Sequence, residues 1–298
     1  MCGRFVTASS PALLAERFDV DEIAIEGDPE PNYNVAPREQ VAVVREREGR
    51  RVLSRLRWGL VPSWAKDPSI GDRMINARAE GLATKPAYKR SFAKKRCIIP
   101  ADGFYEWQVV APATTPKGRP KKQPAFIHRR DGEPMAFAGL WDVWKVPEGL
   151  DIDGVEEDAK ASDRAAGVGG LRRPTPVETE LVESTRHADI VRRSEPGPER
   201  PGPEGRERER WLRSFVIVTT RANDLLLPLH DRMPVLLPET AWSRWLDPAN
   251  HDVEALAELL VPAPDVELEF WPVSTAVNKA DNSGPELVKP VEPGPDHS

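Results

Sequence analysis

Cys2, in the N-terminal run MCGRF, is the residue with the most distinctive chemistry in the sequence. If Met1 stays in place, Cys2 is an ordinary thiol near a chain end. If Met1 is removed, Cys2 carries a free α-amine and a thiol on adjacent carbons. An α-amine has a pKa of about 8 and a thiol about 8.5, so both nucleophiles are partly available near neutral pH. The use of this pair depends on the residues that the fold gathers around it.

Three internal stretches place charged or amide side chains among apolar residues. In INARAE, the residues Asn76, Arg78 and Glu80 alternate, and on an extended segment they would face one side together. In ADGFYEW, Glu106 lies between two aromatic residues after a glycine turn. The third stretch, PLHDRMPV, interrupts an apolar run with three polar residues: His230, Asp231 and Arg232.

Each of these side chains also has an ordinary structural explanation. Glu106 could lie at the surface of an edge strand, and His230 could cap a helix end. Arg78 and Glu80 could form a cross-strand ion pair. Cys97, the other cysteine of the chain, fits the role of a small core residue. No single residue identifies a function.

The composition is that of a globular chain with an additional charged portion. The 298 residues are 39% apolar and 30% charged, include 31 prolines and carry a formal net charge of −6. No run approaches the about 20 apolar residues of a membrane helix, and the N-terminus lacks the features of a secretory signal. Two cysteines are too few for a disulfide framework. We therefore expect a cytoplasmic protein with reduced thiols and no membrane partner.

Positive charge is concentrated in residues 73–96, where eight basic residues stand against Glu80 alone. Such a patch attracts phosphates whatever the total charge, although a solvated helix face is the simpler alternative. The sequence has no P-loop, no GxGxxG, no HExxH and no paired CxxC, and no two of its five histidines have metal-ligand spacing. We expect no cofactor and no metal.

Residues 147–210 have the character of an insertion. They contain no Phe, Trp or Tyr and are rich in Pro, Gly and charge. Such a segment buries too little apolar surface to offset its ordering entropy, which predicts disorder. We expect residues 1–146 and 211–291 to form one domain and residues 292–298 to form a tail.

The remaining sequence predicts short strands and a few helices. Ser10 and Pro11 have the cap and first-turn positions of a helix in SSPALLAERF. Further short helices are predicted in TKPAYKRSFAKK, NDLLLPLHDRMP, ETAWSRWL and DVEALAELL. Hairpins are expected around residues 48–50 and 131–132, and strands in RCIIPADGFYEW, SFVIVTT and VELEFWPVS. The absence of βαβ alternation predicts an α+β domain with a curved, largely antiparallel, barrel-like sheet and flanking helices.

The order of eight motifs resembles that of the SOS-response-associated peptidase (SRAP) family, proteins that process abasic sites in DNA. The motifs are MCGRF, YNVAP, RWGLVPSW, INARAE, CIIPADGFYEW, IVTT, LHDRMPV and WPVS. The similarity extends from Cys2 to about Val291, and the segment 147–210 is its main departure.

The resemblance implies a DNA-binding cleft and covalent capture of abasic sites in single-stranded DNA through Cys2, after removal of Met1. An opened abasic deoxyribose has an aldehyde at C1′. The Cys2 amine would condense with it to an imine, and the tethered thiol would close a five-membered thiazolidine that shields the lesion. The family name adds a thiol peptidase activity, interpreted as autoproteolytic removal of Met1, and an imine permits some lyase activity. Damage-induced expression is a family expectation.

The resemblance also implies roles for individual residues. Glu106 and His230 would move protons, and Asn76 would orient Cys2 and the sugar. The DNA-binding set comprises Arg4, Asn34, Pro37, Trp64, Arg78, Thr219 and Arg232. In this set the arginines would contact DNA phosphates, and the basic stretch to Arg96 would extend this line of phosphate contacts. The Pro37 and Trp64 loops would lie beside the missing base. We expect a monomer that associates with the nucleoid when bound to DNA.

Two other functions remain open. An N-terminal-nucleophile hydrolase would attack an amide with the Cys2 thiol and use its own amine as base. It would need an oxyanion hole and no basic DNA track. A non-catalytic module that binds single-stranded DNA predicts that Cys2→Ala leaves all DNA behaviour intact. The segment 147–210 could bind a partner protein alongside any of these activities.

Overall fold

The computed structural model of the chain describes residues 2–114, 118, 120–157 and 209–291. The strands in these ranges are β1 (Phe5–Thr7), β2 (Glu22–Ala24), β3 (Asn32–Val35), β4 (Gln40–Arg47), β5 (Arg50–Trp58), β6 (Asn76–Arg78), β7 (Arg96–Ala101), β8 (Gly103–Thr114), β9 (Pro120–Arg129), β10 (Met135–Lys145), β11 (Val155–Glu157), β12 (Arg210–Arg221), β13 (Arg232–Pro234) and β14 (Leu268–Pro272). The α-helices are α1 (Pro11–Arg17), α2 (Pro86–Lys94), α3 (Trp242–Leu246) and α4 (Val253–Ala257).

Five strands close into a barrel, in the order β12-β10-β7-β4-β5 and back to β12. The first four pairings are antiparallel. The ring closes where β5 and β12 pair in parallel, with Arg57 opposite Ser214 and Trp58 opposite Phe215. Alternate residues of all five strands belong to one buried apolar cluster, so this cluster fills the barrel interior. The predicted α+β fold with a barrel-like, largely antiparallel sheet is confirmed.

A second sheet, in the order β14-β9-β8-β1-β3, carries the N-terminal strand. In this sheet Phe5 of β1 lies opposite Phe104 of β8 on one side and Val35 of β3 on the other. The Phe5 ring also packs edge to face on Trp58 of the barrel, with 4.9 Å between ring centroids. The junction of the two sheets therefore determines where Cys2, three residues before Phe5, is held.

The helices flank the sheets, and the first begins as its sequence predicts. Ser10 Oγ accepts the Leu13 N–H at 3.3 Å, and Pro11 takes the first helical position of α1. The predicted basic helix is α2, which buries Tyr88 and Phe92 in a second apolar cluster against the outside of the barrel. Its charged residues face away from the core, so α2 supports the barrel while presenting a basic surface.

Two local predictions are wrong. The turn at residues 131–132 links β9 to β10, but these strands do not pair: β9 pairs with β8 and β14, whereas β10 pairs with β7 and β12. The predicted helix in NDLLLPLHDRMP is a series of turns over residues 224–229. Pro228 lacks a donor for a helical hydrogen bond and disfavours the helical conformation at Leu227. The predicted hairpin at residues 48–50 is confirmed, with Arg47 opposite Arg50.

The predicted insertion lies mostly outside the described residues, which omit 158–208, and the predicted tail 292–298 lies outside them as well. The described ends of the segment belong to the barrel sheet, because β11 pairs with the start of β12 and places Val155 opposite Leu212. The barrel sheet therefore continues into both ends of the predicted insertion, at residues 155–157 and 210. Among the described residues, no helix is long and apolar enough to cross a membrane.

Candidate active site

Cys2 is fully buried where the second sheet meets the barrel. Its Sγ donates to the carbonyl oxygen of Arg4 at 3.7 Å, a contact that bends the thiol back along its own chain. Burial raises the pKa of the Cys2 thiol far above its ordinary value, and the negative charge of Glu106 adds to the increase. The thiol is therefore neutral in this environment, and a neighbouring base is needed to activate it.

Asn76 contacts the backbone of Cys2 directly. It begins β6, which pairs in parallel with β12 and places Asn76 opposite Ile217. The Asn76 side chain donates Nδ2–H to the carbonyl oxygen of Cys2 at 2.7 Å. Its Oδ1 is buried and has no hydrogen-bond partner among the residues that the structure describes, so it is an acceptor available beside Cys2. Asn76 can thus hold the cysteine backbone and accept a hydrogen bond from a bound group.

Glu106 is a buried carboxylate, 5% exposed, on strand β8. Its position follows from the pairing of β8 with β1, because Tyr105 N–H donates to the carbonyl oxygen of Arg4 at 3.0 Å. This register brings Glu106 close enough to Cys2 for its charge to raise the pKa of the thiol. This burial excludes the alternative of a surface glutamate on an edge strand. The structure brings Cys2, Asn76 and Glu106 together from three separate stretches of the sequence.

Arg4 and Asn34 tie the N-terminal segment to the loop that follows β14. Arg4 Nη1 donates to Asn34 Oδ1 at 2.9 Å and to the Val277 carbonyl oxygen at 3.4 Å. Asn34 is buried and donates Nδ2–H to the carbonyl oxygens of Lys279 at 2.9 Å and Asn282 at 2.7 Å. In this structure both residues hold the wall of the site in place.

His230 is half-buried before β13, and the geometry defines its neutral tautomer. Its Nδ1 accepts the Arg232 N–H at 3.0 Å, which leaves the ring proton on Nε2. The Asp231 carboxylate lies 2.9 Å from the same Nδ1, so both contacts of this nitrogen are made within the turn before β13. Nε2–H is the group that could donate to a ligand. No hydrogen bond or ion pair between described residues connects His230 to Cys2 or Asn76.

Arg232 is engaged in contacts with protein groups. Its two terminal nitrogens donate to the Glu80 carboxylate at 2.6 and 3.0 Å, and Nη2 also donates to the Thr219 carbonyl oxygen at 2.6 Å. This pair holds the pKa of Glu80 below its ordinary value. Glu80 lies in the 3-10 turn Ala79–Gly81, not on the extended segment that the alternation predicted.

Thr219 is fully buried on β12, and its hydroxyl donates to the Ala77 carbonyl oxygen at 3.4 Å. The expected contact of the Thr219 side chain with DNA is therefore not supported, because the side chain packs inside the sheet. Arg78, opposite Thr219 in the β6–β12 pairing, is exposed. Of this predicted set, Arg78 is the cation at the surface of the described structure.

Comparison with known proteins places the chain in a family. The sequence model of the family described as SOS response associated peptidase (SRAP) matches residues 1–160 and 188–280. The chain belongs to the SRAP family. This SRAP chain is 34% identical over 289 residues to the abasic site processing protein YoqW of Bacillus subtilis, covering 97% of the chain and 99% of YoqW. It is 32% identical to the abasic site processing protein YedK of Escherichia coli, covering 98% of the chain and all of YedK.

More distant proteins share the SRAP fold. The abasic site processing protein HMCES of Gallus gallus is 28% identical, over 99% of this chain and 79% of HMCES. A crystal structure of a Bacteroides thetaiotaomicron protein superimposes with a TM-score of 0.66 at 19% identity, covering 98% of this chain and 100% of that one. At that identity the likeness concerns the fold alone.

The two loops predicted to flank a lesion differ in exposure. Trp64 is 59% exposed in the SRAP chain, the largest exposed aromatic side chain of the described residues. Pro37 is half-buried in a turn that Arg38 completes with a positive φ of 81°. Arg38 also forms a bidentate ion pair with Asp72, which ties this turn to the segment before Asn76.

The predicted basic track does not continue to Arg96. The Arg96 side chain is buried and donates to four backbone carbonyl oxygens, among them those of Phe92 at 2.6 Å and Trp245 at 2.6 Å. Lys95 pairs with Asp142 at 2.5 Å. The basic residues of the segment that are exposed are Arg73, Arg78, Lys85, Lys89, Arg90 and Lys94.

Sequence reasoning missed two aspartates that anchor loops around the site. Asp102 accepts the N–H groups of Ala8 at 2.6 Å and Ser9 at 3.0 Å, just after β1. Asp142 accepts the Ser63 N–H at 2.8 Å, next to Trp64. The sequence does indicate a partner for Asp142, because a single acid inside the apolar run GLWDVW requires a hydrogen-bond or ion-pair partner when the strand is buried. In the described ranges, no group of three or more His, Cys, Asp or Glu side chains is arranged to hold a metal.

Proposed function

We propose that this SRAP protein processes abasic sites in single-stranded DNA by forming a thiazolidine crosslink through Cys2, with Met1 removed. The relatives named abasic site processing proteins support the substrate class. The observation that carries the chemistry is the cluster at Cys2: Asn76 holds its carbonyl oxygen at 2.7 Å, and the Glu106 carboxylate acts electrostatically on its thiol. An amine and a thiol on adjacent carbons are the groups that convert an aldehyde into a thiazolidine.

The first step joins the Cys2 amine to C1′ of the opened sugar. Nitrogen attacks the aldehyde carbon, and the carbonyl oxygen takes up a proton to give a carbinolamine. This oxygen then takes a second proton and leaves as water, which forms a protonated imine. Glu106, a buried carboxylate whose charge acts on Cys2, serves as the acid–base group in these transfers, and His230 Nε2–H serves as a second donor to the sugar.

The second step closes the ring. The thiol loses its proton to the Glu106 carboxylate, sulfur attacks the imine carbon, and the imine electron pair returns to nitrogen. The overall reaction joins one aldehyde and one aminothiol and releases one water. Because burial raises the pKa of the thiol, activation needs the adjacent carboxylate, and because sulfur is tethered to the amine, attack benefits from a high effective concentration. The reverse sequence, with Glu106 protonating the ring, would release the DNA.

The test is a crosslinking assay with a single-stranded oligonucleotide that contains one abasic site. Purified protein, with loss of Met1 established by mass spectrometry, is incubated with the oligonucleotide and run on a denaturing gel. Wild type should give a slow band that withstands heat without borohydride. Cys2→Ala and Cys2→Ser keep the α-amine but lack the thiol, so they should give a band only after borohydride trapping. Cys97→Ala, which removes the other buried thiol, is the matched control and should behave as wild type.

Two outcomes would overturn the proposal. A heat-stable band with Cys2→Ala would show that another group makes the bond. No band from wild type that lacks Met1 would exclude capture and favour the N-terminal-nucleophile hydrolase.

Cleavage of the oligonucleotide 3′ to the lesion in the same reactions would reveal lyase activity, because the imine permits β-elimination. Autoproteolysis would be supported if, in a host that lacks methionine aminopeptidase, the wild-type protein loses Met1 and the Cys2→Ala variant retains it.

A further inference from the structure

The loop of residues 61–65, here called the Trp64 loop, presents an exposed indole on a firmly held backbone. Trp64 is 59% exposed, whereas Val61 at the start of the loop is fully buried. Val61 packs with Trp144 and Leu212 in a separate apolar cluster, with Ala65 against it. The side chain that projects from this loop is therefore large and apolar, and Val61 and Ala65 at the two ends of the loop pack against the protein.

Three buried side chains fix the backbone of the Trp64 loop. Ser214 Oγ accepts the Val61 N–H at 2.8 Å, and Asp142 Oδ2 accepts the Ser63 N–H at 2.8 Å. Trp144 Nε1–H donates to the Ala65 carbonyl oxygen at 2.7 Å. Asp142 and Ser214 are opposite one another in the β10–β12 pairing, so the anchors come from two adjacent barrel strands.

A buried carboxylate in this position is costly unless its contacts offset its desolvation. Asp142 is 4% exposed, and its Oδ1 is satisfied by Lys95 Nζ at 2.5 Å and by the Val143 N–H at 2.9 Å. Its Oδ2 is used for the Ser63 N–H. An apolar residue at position 142 would remove the desolvation cost and would also release the loop. The contact with the Trp64 loop therefore explains why an acid occupies buried position 142.

The anchor lies close to the Cys2 cluster along the same strand. Ser214 is three residues from Ile217, which pairs with Asn76, and three residues of a strand span about 10 Å. The Trp64 loop is thus held beside the part of β12 that positions Asn76 and Cys2. The exposed indole is the side chain that this anchored loop presents to solvent.

We propose that Asp142 and Ser214 are positioning residues that hold Trp64 in place to stack on a base beside the abasic site. This inference rests on the proposed function, since it concerns the same DNA-binding site. Stacking of a base on a fixed indole avoids the entropy of ordering the loop on binding. Asp142 does not touch the DNA; it acts through the loop.

The most informative substitution is Asp142→Asn, which preserves size. Asp142 receives donors on both oxygens: Ser63 N–H on one, and Lys95 and Val143 N–H on the other. An asparagine has one acceptor oxygen and one NH₂ group, so in either orientation of the amide its NH₂ group would face another hydrogen-bond donor. Ser214→Ala removes the second anchor independently. Ser54→Ala is the matched control, because Ser54 is another buried barrel serine, bonded to Arg45 Nε at 3.1 Å and not to the loop.

The experiment is a double-mutant cycle on the single-turnover rate of crosslinking, in a Trp64 and a Trp64→Ala background. We expect Trp64→Ala to slow crosslinking by about tenfold, in line with the loss of one stacked base. Asp142→Asn and Ser214→Ala should each slow it by about three- to tenfold, and neither should slow it further once Trp64 is removed. Ser54→Ala should have the same small effect in both backgrounds.

A second readout uses the DNA. An oligonucleotide in which the nucleotides flanking the lesion are replaced by tetrahydrofuran residues, which have neither a base nor an aldehyde, offers nothing to stack on, and on it Asp142→Asn should match wild type. Equal slowing on both oligonucleotides, or full additivity with Trp64→Ala, would overturn the inference. Failure of wild type to crosslink through Cys2 would overturn the proposed function instead. If Asp142→Asn fails to fold, Ser214→Ala and the two oligonucleotides decide the question.

Discussion

At the scale of single residues, Cys2 and Glu106 form a thiol–carboxylate pair in which the carboxylate changes the pKa of the thiol. The carboxylate raises the pKa of the thiol while offering a site for its proton. Glu106→Gln removes both effects and retains the shape of the side chain. We expect crosslinking to slow by about 100-fold or more, as for loss of a general acid–base group, with unchanged affinity for undamaged single-stranded DNA. Single-turnover gels and fluorescence anisotropy measure the two quantities.

The same variant has a second consequence for Cys2. Loss of the negative charge lowers the pKa of the thiol, so the midpoint of Cys2 alkylation should move to lower pH. Cys97 is an internal reference, because its pKa is raised by burial and lowered by Arg45, with no contribution from Glu106. Mass spectrometry of the two cysteine peptides across a pH series gives both midpoints. Equal shifts at Cys2 and Cys97 would indicate a general opening of the protein.

Residue types indicated which side chains lie together better than they indicated which are buried. Cys2, Asn76 and Glu106 are recognisable because their motifs combine reactive groups with apolar neighbours. Thr219 and Arg96 could not be assigned in this way, because their environments are made by distant segments. Arg96 donates to carbonyl oxygens near residues 245–250, and no local pattern reports a contact about 150 positions away.

At the scale of elements, Arg232 of β13 forms an ion pair with Glu80, in the turn after β6, where a phosphate contact was expected. Glu80 is mostly exposed, and its carboxylate occupies both terminal nitrogens of Arg232. A carboxylate and a phosphate compete for the same guanidinium geometry. If Arg232 binds a DNA phosphate, Glu80→Gln should tighten binding of single-stranded DNA several-fold. The slope of log K against log salt should steepen by about 0.7, the value for one additional phosphate.

The control for this variant lies on the same exposed surface. Glu258→Gln removes an exposed carboxylate that pairs with Arg244 at 3.7 Å, on α3 and away from β6. It changes the net charge equally and should leave affinity nearly unchanged. Weaker binding by Glu80→Gln would mean that the carboxylate orients Arg232 for its ligand. Salt titrations by anisotropy separate these cases.

The segment between β5 and β6 depends on a close approach of two glycines. Gly59 has a φ of +110°, and a Cβ there would lie 2.7 Å from the carbonyl oxygen of Gly71. Gly59→Ala therefore combines backbone strain with a backbone clash. Gly27→Ala is matched, because Gly27 has a φ of +70° and open space around it. We expect the Gly27 variant to lose about 1 kcal/mol of unfolding free energy and the Gly59 variant about 3 kcal/mol.

Chemical denaturation measures both losses, and the crosslinking rate provides a functional readout. Because residues 59–75 lead directly to Asn76, Gly59→Ala should also slow capture, whereas Gly27→Ala should not. Equal losses of unfolding free energy would show that the clash with Gly71 is relieved by a small backbone shift.

The elements themselves show where sequence patterns succeed. Helix α1 follows from its cap and proline, and the β4–β5 hairpin from alternation around a tight turn. The turn at residues 131–132 has equally good local chemistry, yet it passes the chain from one sheet to the other. A turn specifies that the chain reverses. Which strands then pair depends on the surfaces that each buries, and those surfaces are completed by distant parts of the chain.

At the scale of the whole molecule, closure of the barrel joins residues near position 57 to residues near position 214. This contact could not be read from the sequence, although the α+β class and the curvature of the sheet could. Cys2 and Cys97 are completely buried in the cluster that fills the barrel, and Tyr105 is completely buried in a separate cluster of the second sheet. The pKa values of all three groups are raised by burial, and for Cys2 also by Glu106. The free energy of unfolding should therefore change with pH in the alkaline range.

The sign of this dependence follows from proton counting. Below about pH 8.5 both folded and unfolded chains hold the thiol protons, and the stabilisation is fully present. Above that value the unfolded chain releases them while the folded chain retains them. The free energy of unfolding should then fall by about 1.4 kcal/mol per pH unit for each buried thiol, until the raised folded pKa is reached. Tyr105 should add to the slope above about pH 10.

Cys97→Ala isolates one of these contributions. Removing a side chain from the barrel interior lowers stability at every pH, but only loss of its titration changes the slope. Between about pH 9 and 10 we expect the variant to lose stability less steeply than wild type, by about 1.4 kcal/mol per pH unit. Urea denaturation under reducing conditions at a series of pH values measures both slopes. Parallel curves would mean that Cys97 ionises in the folded protein, and hence that the barrel opens to solvent without unfolding.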